Sequence, residues 1–193
     1  MVERTQPLAG IARAGRHGPE SAGGPGVTLS LPPRGSLWQV APWAGTFDAV
    51  AAKLAAALGA EALPAPGRMA AAGDRLVAHV EPLKYWVMGP DGAECPLALD
   101  PEEGATLDLS HNDSAVRVTG PKAADLIARL CPIDLRERSF PPMSFASTQA
   151  HHMITRVLRT EAFYEVWVMR SFAQDMWELL THHAEQFGLA CEL

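Results

Sequence analysis

A chain of 193 residues with 48% apolar content is long enough for one compact domain or two small fused halves with a sizeable core. Its formal charge is −6, and beyond residue 36 it holds 12 basic against 20 acidic residues, so it lacks the clustered Lys and Arg that nucleic-acid binding requires. No apolar run approaches the roughly 18 to 20 residues of a spanning helix and no secretory pattern opens the chain, so no membrane is expected and the expected location is cytoplasmic.

Residues 1–26 are rich in Gly, Ala, Pro and Arg and show no apolar period. Such a segment buries too little surface to offset chain entropy, and the expectation is a disordered tail preceding a domain at 27–193. Residues 37–42 read as a strand. Thr46 is placed as a helix N-cap, and Phe47, Val50, Ala51, Leu54 and Leu58 then recur at helical spacing until Gly59. A loop is expected over 63–73. Strands follow at 75–80 and 83–88, broken by Glu81-Pro82, with Gly89-Pro90-Asp91-Gly92 as the next turn.

A linking strand is expected over 108–111, then a strand over 115–119 in which Val116 and Val118 flank Arg117. Gly120-Pro121 stops it and opens a helix to Leu130. One strand is expected within 147–158, another over 163–169, and a last helix over 171–188. Ser171 and Gln174 are spaced as a capping box for that helix, with Phe172, Met176, Leu179, Leu180, His183 and Phe187 on one face.

The body thus reads as two halves, about 36–92 and 105–188, each in the order strand, helix, strand, strand. Both end on a Trp-Val-Met triplet, Trp86 to Met88 and Trp167 to Met169, which suggests a duplication. The fold class is α+β, with helices packed on mixed or antiparallel sheet.

The run DLSHNDSAVRVTGPKAADLIARLCPIDL, from Asp108 to Leu135, resembles the D-x-S-H, V-x-V-x-G-P, helix pattern of the aminomethyltransferase-like, folate-binding-type proteins. The CPIDL segment, the Phe140-Pro141-Pro142 triplet, the paired strands and the Arg170-Ser171-Phe172 triplet before a Trp-containing helix further resemble the gamma subunits of heterotetrameric sarcosine oxidase. That resemblance implies a non-catalytic assembly subunit. Its partners would be alpha, beta and delta subunits that carry FAD, FMN, NAD, tetrahydrofolate and zinc, in a complex converting sarcosine to glycine and hydrogen peroxide. Two other classes stay open: a free-standing folate-dependent one-carbon protein and a regulatory small-molecule module.

Chemistry-bearing motifs are scarce. No G-x-G-x-x-G, phosphate loop or G-x-S-x-G elbow occurs, so neither catalytic nor cofactor-binding residues are assigned. Cys95, Cys131 and Cys191 form no C-x-x-C pair and read as free thiols. Successive residues such as His151-His152 and His182-His183 point apart, which disfavours a shared metal ion. Aminomethyltransferases resemble this chain but carry an acid near the late strand pair, whereas no Asp or Glu lies between Glu137 and Glu161 here. Asp108 reads as a structural residue bonding loop backbone. Trp43, Trp177 and Arg170 are the candidate interface residues.

Overall fold

The computed structural model describes residues 6–19 and 23–193. It contains β1 (Gly15–His17), β2 (Val27–Ser30), β3 (Gly35–Pro42), α1 (Phe47–Ala57), β4 (Met69–Ala72), β5 (Arg75–Glu81), β6 (Lys84–Pro90), β7 (Gly104–Asp108), β8 (Asp113–Thr119), α2 (Ala123–Leu130), β9 (Ser144–Ala150), β10 (Met153–Arg159), β11 (Tyr164–Met169), α3 (Ala173–Ala184) and β12 (Leu189–Glu192). Short 3₁₀ turns precede α1 and α3 and follow α3. The architecture is α+β, and the chain divides into two units.

The inserted unit comprises Pro33–Ser110 and Met143–Phe145. Its strands lie in the order β4-β5-β6-β3-β7, with antiparallel pairing throughout. Val40, Val50, Leu54, Val77, Tyr85 and Val87 are buried together, because β3, β5 and β6 turn alternate side chains toward the apolar side of α1. Thr46 does precede α1, but its hydroxyl donates to Trp43 O and Glu103 O rather than capping the helix. Gly59, at φ +64°, ends the helix as expected.

The terminal unit comprises Met1–Pro32, His111–Pro142 and Ala146–Leu193. Its sheet has the order β1-β12-β2-β8-β11-β10-β9. Only β12 and β2 pair in parallel among the registers given by the described strands. Val116, Val118, Val166 and Val168 bury one face of β8 and β11 against Leu126 and Ile127 of α2 and Met176, Trp177 and Leu180 of α3.

The two units repeat one topology. In each, a strand leads to a helix and three further strands, and the last of these returns beside the first: β4-β5-β6-β3 and β9-β10-β11-β8. The second strand of each half escapes the sequence reading. β4 falls inside the expected loop because Met69-Ala-Ala-Ala is not β-favouring; Gly73, at φ +62°, makes the two-residue turn that pairs it with β5. The single strand expected within 147–158 is a hairpin, β9 and β10, turned at His151-His152 with His151 at φ +52°.

Other boundaries are corrected too. The linking strand lies earlier, at β7, and residues 109–112 are its following turn. Ser171 makes no capping box: Arg170–Phe172 is a 3₁₀ turn, Phe172 occupies the N-cap, and Gln174 bonds Glu178. After Gly188 the chain does not stop but adds β12.

The largest correction concerns the tail. Residues 1–5 and 20–22 lie outside the described residues, but 6–12 form a turn in which Ala12 N–H donates to Leu8 O, and Leu8 is fully buried in the terminal unit's core. Gly15–His17 then pairs with β12. A segment with no apolar period still packs when one Leu finds an opening and an unpaired strand offers backbone bonds.

Gly120, in the V-x-V-x-G-P pattern, has φ +102°, and a Cβ there would meet Gly26 O at 2.5 Å. Lys122 N–H donates to that same carbonyl at 2.8 Å. The glycine therefore lets the start of α2 bind the chain entering β2.

Leu180 is fully buried while His182, on the same helix, is exposed. Leu180→Ala and Leu8→Ala are each expected to cost about 2–5 kcal/mol, and His182→Ala less than about 0.5 kcal/mol, in urea unfolding followed by tryptophan fluorescence.

Candidate functional site

Asp108, Ser110 and His111 stand at the junction after β7. Asp108 Oδ1 accepts the Ser110 N–H at 2.9 Å, and Ser110 Oγ accepts the Leu37 N–H at 2.9 Å. The D-x-S portion of the motif therefore ties the exit of β7 to β3, a backbone-bonding role that uses the short polar side chains as turn acceptors. His111 is exposed.

A partly buried charge cluster lies on the face of the terminal sheet opposite α2 and α3. Arg117 donates through Nε and Nη2 to Glu165 Oε1 at 3.1 and 2.8 Å, while Trp167 Nε1 donates to Glu165 Oε2 at 3.0 Å. The guanidinium also stacks 3.8 Å from the Phe163 ring centroid. Both carboxylate oxygens are engaged, so Glu165 ties β8 to β11 through charge-assisted hydrogen bonds. The register Arg117↔Glu165 across β8 and β11 explains the contact.

Asp113 is different. Its side chain is 1% exposed; Oδ1 accepts from Arg156 at 3.2 Å and Asn112 at 3.1 Å, yet Oδ2 accepts no hydrogen bond. Burial pushes its carboxyl above the usual range, with Arg156 and Asn112 pulling the other way. Sequence reasoning passed over Asp113 and Glu165, because each sits alone in an alternating strand; only cross-strand register brings Arg117 and Arg156 to them.

Histidines occupy a turn, the end of α3 and the core of the inserted unit. His151 and His152 occupy the β9–β10 turn, and the His182 and His183 rings meet edge to face at 5.2 Å. Burial lowers the His183 pKa, helped by His182, His151 and Arg129. His79 is buried between Phe47 and Tyr85, its Nδ1 3.1 Å from Pro64 O. Among the described residues no three His, Cys, Asp or Glu side chains are grouped to hold a metal ion. Burial pushes the Cys131 thiol up to about 11, and Cys191 up as well, which keeps both protonated.

The three candidate interface residues part company. Trp43 is 51% exposed, with Nε1 donating to Pro101 O at 2.8 Å. Trp177 is withdrawn: at 6% exposure it belongs to the core beneath α3, on the side where the helix meets the sheet. Arg170 is half-buried, and its N–H donates to Asn112 O. No described helix is long and apolar enough to cross a membrane.

The GCVT N-terminal domain profile matches residues 73–191, more than half of the chain. The chain belongs to that family. It is similar to the sarcosine oxidase gamma subunit of Arthrobacter sp., at 35% identity over 94 residues, which are 46% of each chain. It is also similar to the gamma subunit of Corynebacterium sp. (strain U-96), at 31% over 94 residues, 48% of this chain and 46% of that one. These matches span about half the length of the curated relatives.

Among solved structures, a chain of the heterotetrameric sarcosine oxidase from Corynebacterium sp. U-96, in complex with pyrrole 2-carboxylate, superposes with a TM-score of 0.77. Identity is 26%, and the match covers 95% of this chain and 96% of that one. Glycine cleavage system aminomethyltransferase T from Bartonella henselae shares the fold, with a TM-score of 0.57 and 11% identity over 87% of this chain and 48% of its own.

A carboxyl whose folded pKa lies above its unfolded value stabilises most below the unfolded value and loses that contribution as pH rises through the folded one. Asp113 is such a group. The stability of the parent relative to Asp113→Asn is therefore expected to fall as pH rises from about 4, the ordinary carboxyl range, read from urea midpoints at successive pH values.

Proposed function

We propose that this chain is the gamma subunit of a sarcosine oxidase complex, and that its part there is assembly rather than catalysis. The observation that carries the reading is the end-to-end superposition on a chain of such a complex, 95% of one chain on 96% of the other. In the complex, alpha, beta and delta partners would hold the flavins, NAD, the folate and zinc. Sarcosine would be oxidised to glycine with reduction of oxygen to hydrogen peroxide, and the one-carbon unit would pass to tetrahydrofolate.

The distribution of carboxylates supports the non-catalytic part. Orienting a substrate amine or taking its proton requires a reachable acid, and β9 and β10 supply none, since no Asp or Glu lies between Glu137 and Glu161. Glu165 has both oxygens occupied, and the Asp113 side chain is enclosed. Such a subunit contributes by mass action: burying its surface against the assembled partners stabilises them without contact to substrate.

Purified alone, the chain is expected to show no flavin absorbance, no sarcosine oxidation and no one-carbon transfer to tetrahydrofolate. Co-expressed with the alpha, beta and delta chains of its own genome, it should co-purify with them, and its omission should lower oxidase yield or thermal stability. Turnover of a folate and amine pair by the isolated chain would favour the free-standing one-carbon reading. Full activity and stability of the other chains without it would overturn the subunit reading.

A further inference from the structure

β7 is the outermost strand of the inserted unit's sheet, bonded on one side to β3. The Leu109 N–H donates to Leu37 O at 2.8 Å, and the register continues through Gln39↔Leu107 and Ala41↔Ala105. In an antiparallel ladder bonded and non-bonded pairs alternate, so Leu107 and Ala105 turn their backbone groups inward and Thr106 turns its N–H and C=O outward. Natural edges are blunted by Lys, Pro or a bulge, and the Gly-Ala-Thr-Leu-Asp sequence of β7 has none of these.

The side chains around this edge form a second pattern. Leu107 and Ala105 lie on the face away from α1, opposite Gln39 and Ala41, and the extended chain at Trp43 continues that row. Leu107 is 48% exposed and Trp43 51%. Trp43 is fixed in place by its Nε1 bond to Pro101 O and its backbone bond to Glu103 O. An exposed, pre-positioned Trp is the kind of residue that dominates binding energy at interfaces. Beside the row, residues 100–108 hold four acids, Asp100, Glu102, Glu103 and Asp108, and no Lys, Arg or His. Lys53 reaches one of them, Glu103.

We infer that β7 and Trp43 form a docking edge for an extended, Lys- or Arg-bearing segment of a partner polypeptide, which adds to the sheet as its next strand. The inference rests on the subunit reading and names its surface. Backbone pairing through Thr106 gives the segment its direction, Trp43 and Leu107 grip alternate side chains, and the acidic surround selects a basic sequence. The same charge disfavours a second copy of this chain, because two such edges would bring acid against acid.

The test uses the co-expressed complex, with a photo-crosslinking amino acid at position 107 and, separately, the variants Thr106→Pro, Leu107→Lys and Glu102→Lys. Thr106→Pro removes an outward donor that β3 does not use, and each variant's melting temperature alone reports folding. Expected are a crosslink to a Lys- or Arg-containing peptide of a partner and a loss of complex affinity of about tenfold or more for folded Thr106→Pro and Leu107→Lys. Glu102→Lys should weaken assembly and flatten its salt dependence. A crosslink to a second copy of this chain, no crosslink in an intact complex, or folded variants that assemble like the parent would overturn the docking edge while leaving the subunit reading standing. No complex with the parent chain would overturn both.

Discussion

The structure depends on keeping one face of each sheet apolar along alternating residues while a helix covers that face. In β8 and β11 the register Val116↔Val166 brings valines together beneath α2 and α3, and in β3 and β6 Val40 and Val87 do the same beneath α1. A slip of one residue would turn Arg117 and Glu165 into the core and the valines out of it. The Trp-Val-Met triplets obey this constraint. Val87 and Val168 point to the helices, whereas Trp86 and Trp167 occupy the other face, where Trp86 Nε1 reaches Gln39 and Trp167 Nε1 reaches Glu165.

That alternation explains which parts of the fold were legible in the sequence. β3, β5, β6, β8 and β11 announce themselves because half their residues are strongly apolar, and α1 and α3 because apolar residues recur at helical spacing. β4 and β9 are hidden for the opposite reason: Met-Ala-Ala-Ala and Ser-Phe-Ala-Ser-Thr-Gln-Ala are marginal β-formers that pair because a neighbour offers a ladder. β1, β2 and β12 are short, and each is defined by a partner remote in sequence. No local pattern could show that Leu8 fills a core built mainly from residues beyond 110.

Of the candidate site, residue types were legible in the sequence but their partners were not. The gap between Glu137 and Glu161 can be read directly from the residues, whereas the engagement of Glu165 and the enclosure of Asp113 require knowing which arginine lies opposite. Trp43 and Trp177 illustrate the same limit. Both precede or occupy helical turns in the sequence, but the first sits outside its helix beside an edge strand and the second on the inward side of its own. Side-chain type suggested an anchor in each case; only burial distinguishes them.

The parallel pairing of β2 with β12 joins Val27 to Leu189, with the whole inserted unit lying between them in sequence. During synthesis, the inserted unit can close its own sheet as soon as β7 has emerged, because its strands, apart from the Met143–Phe145 patch, are contiguous. The terminal unit cannot. Until β12 arrives, β1 has no strand to pair with, β2 has β8 alone, and the pocket that receives Leu8 is incomplete. β1 and β2 thus complete their pairing only after the intervening residues have been made. Non-local closure of this kind slows folding and leaves strand edges open for longer, so the terminal unit is the expected slow step.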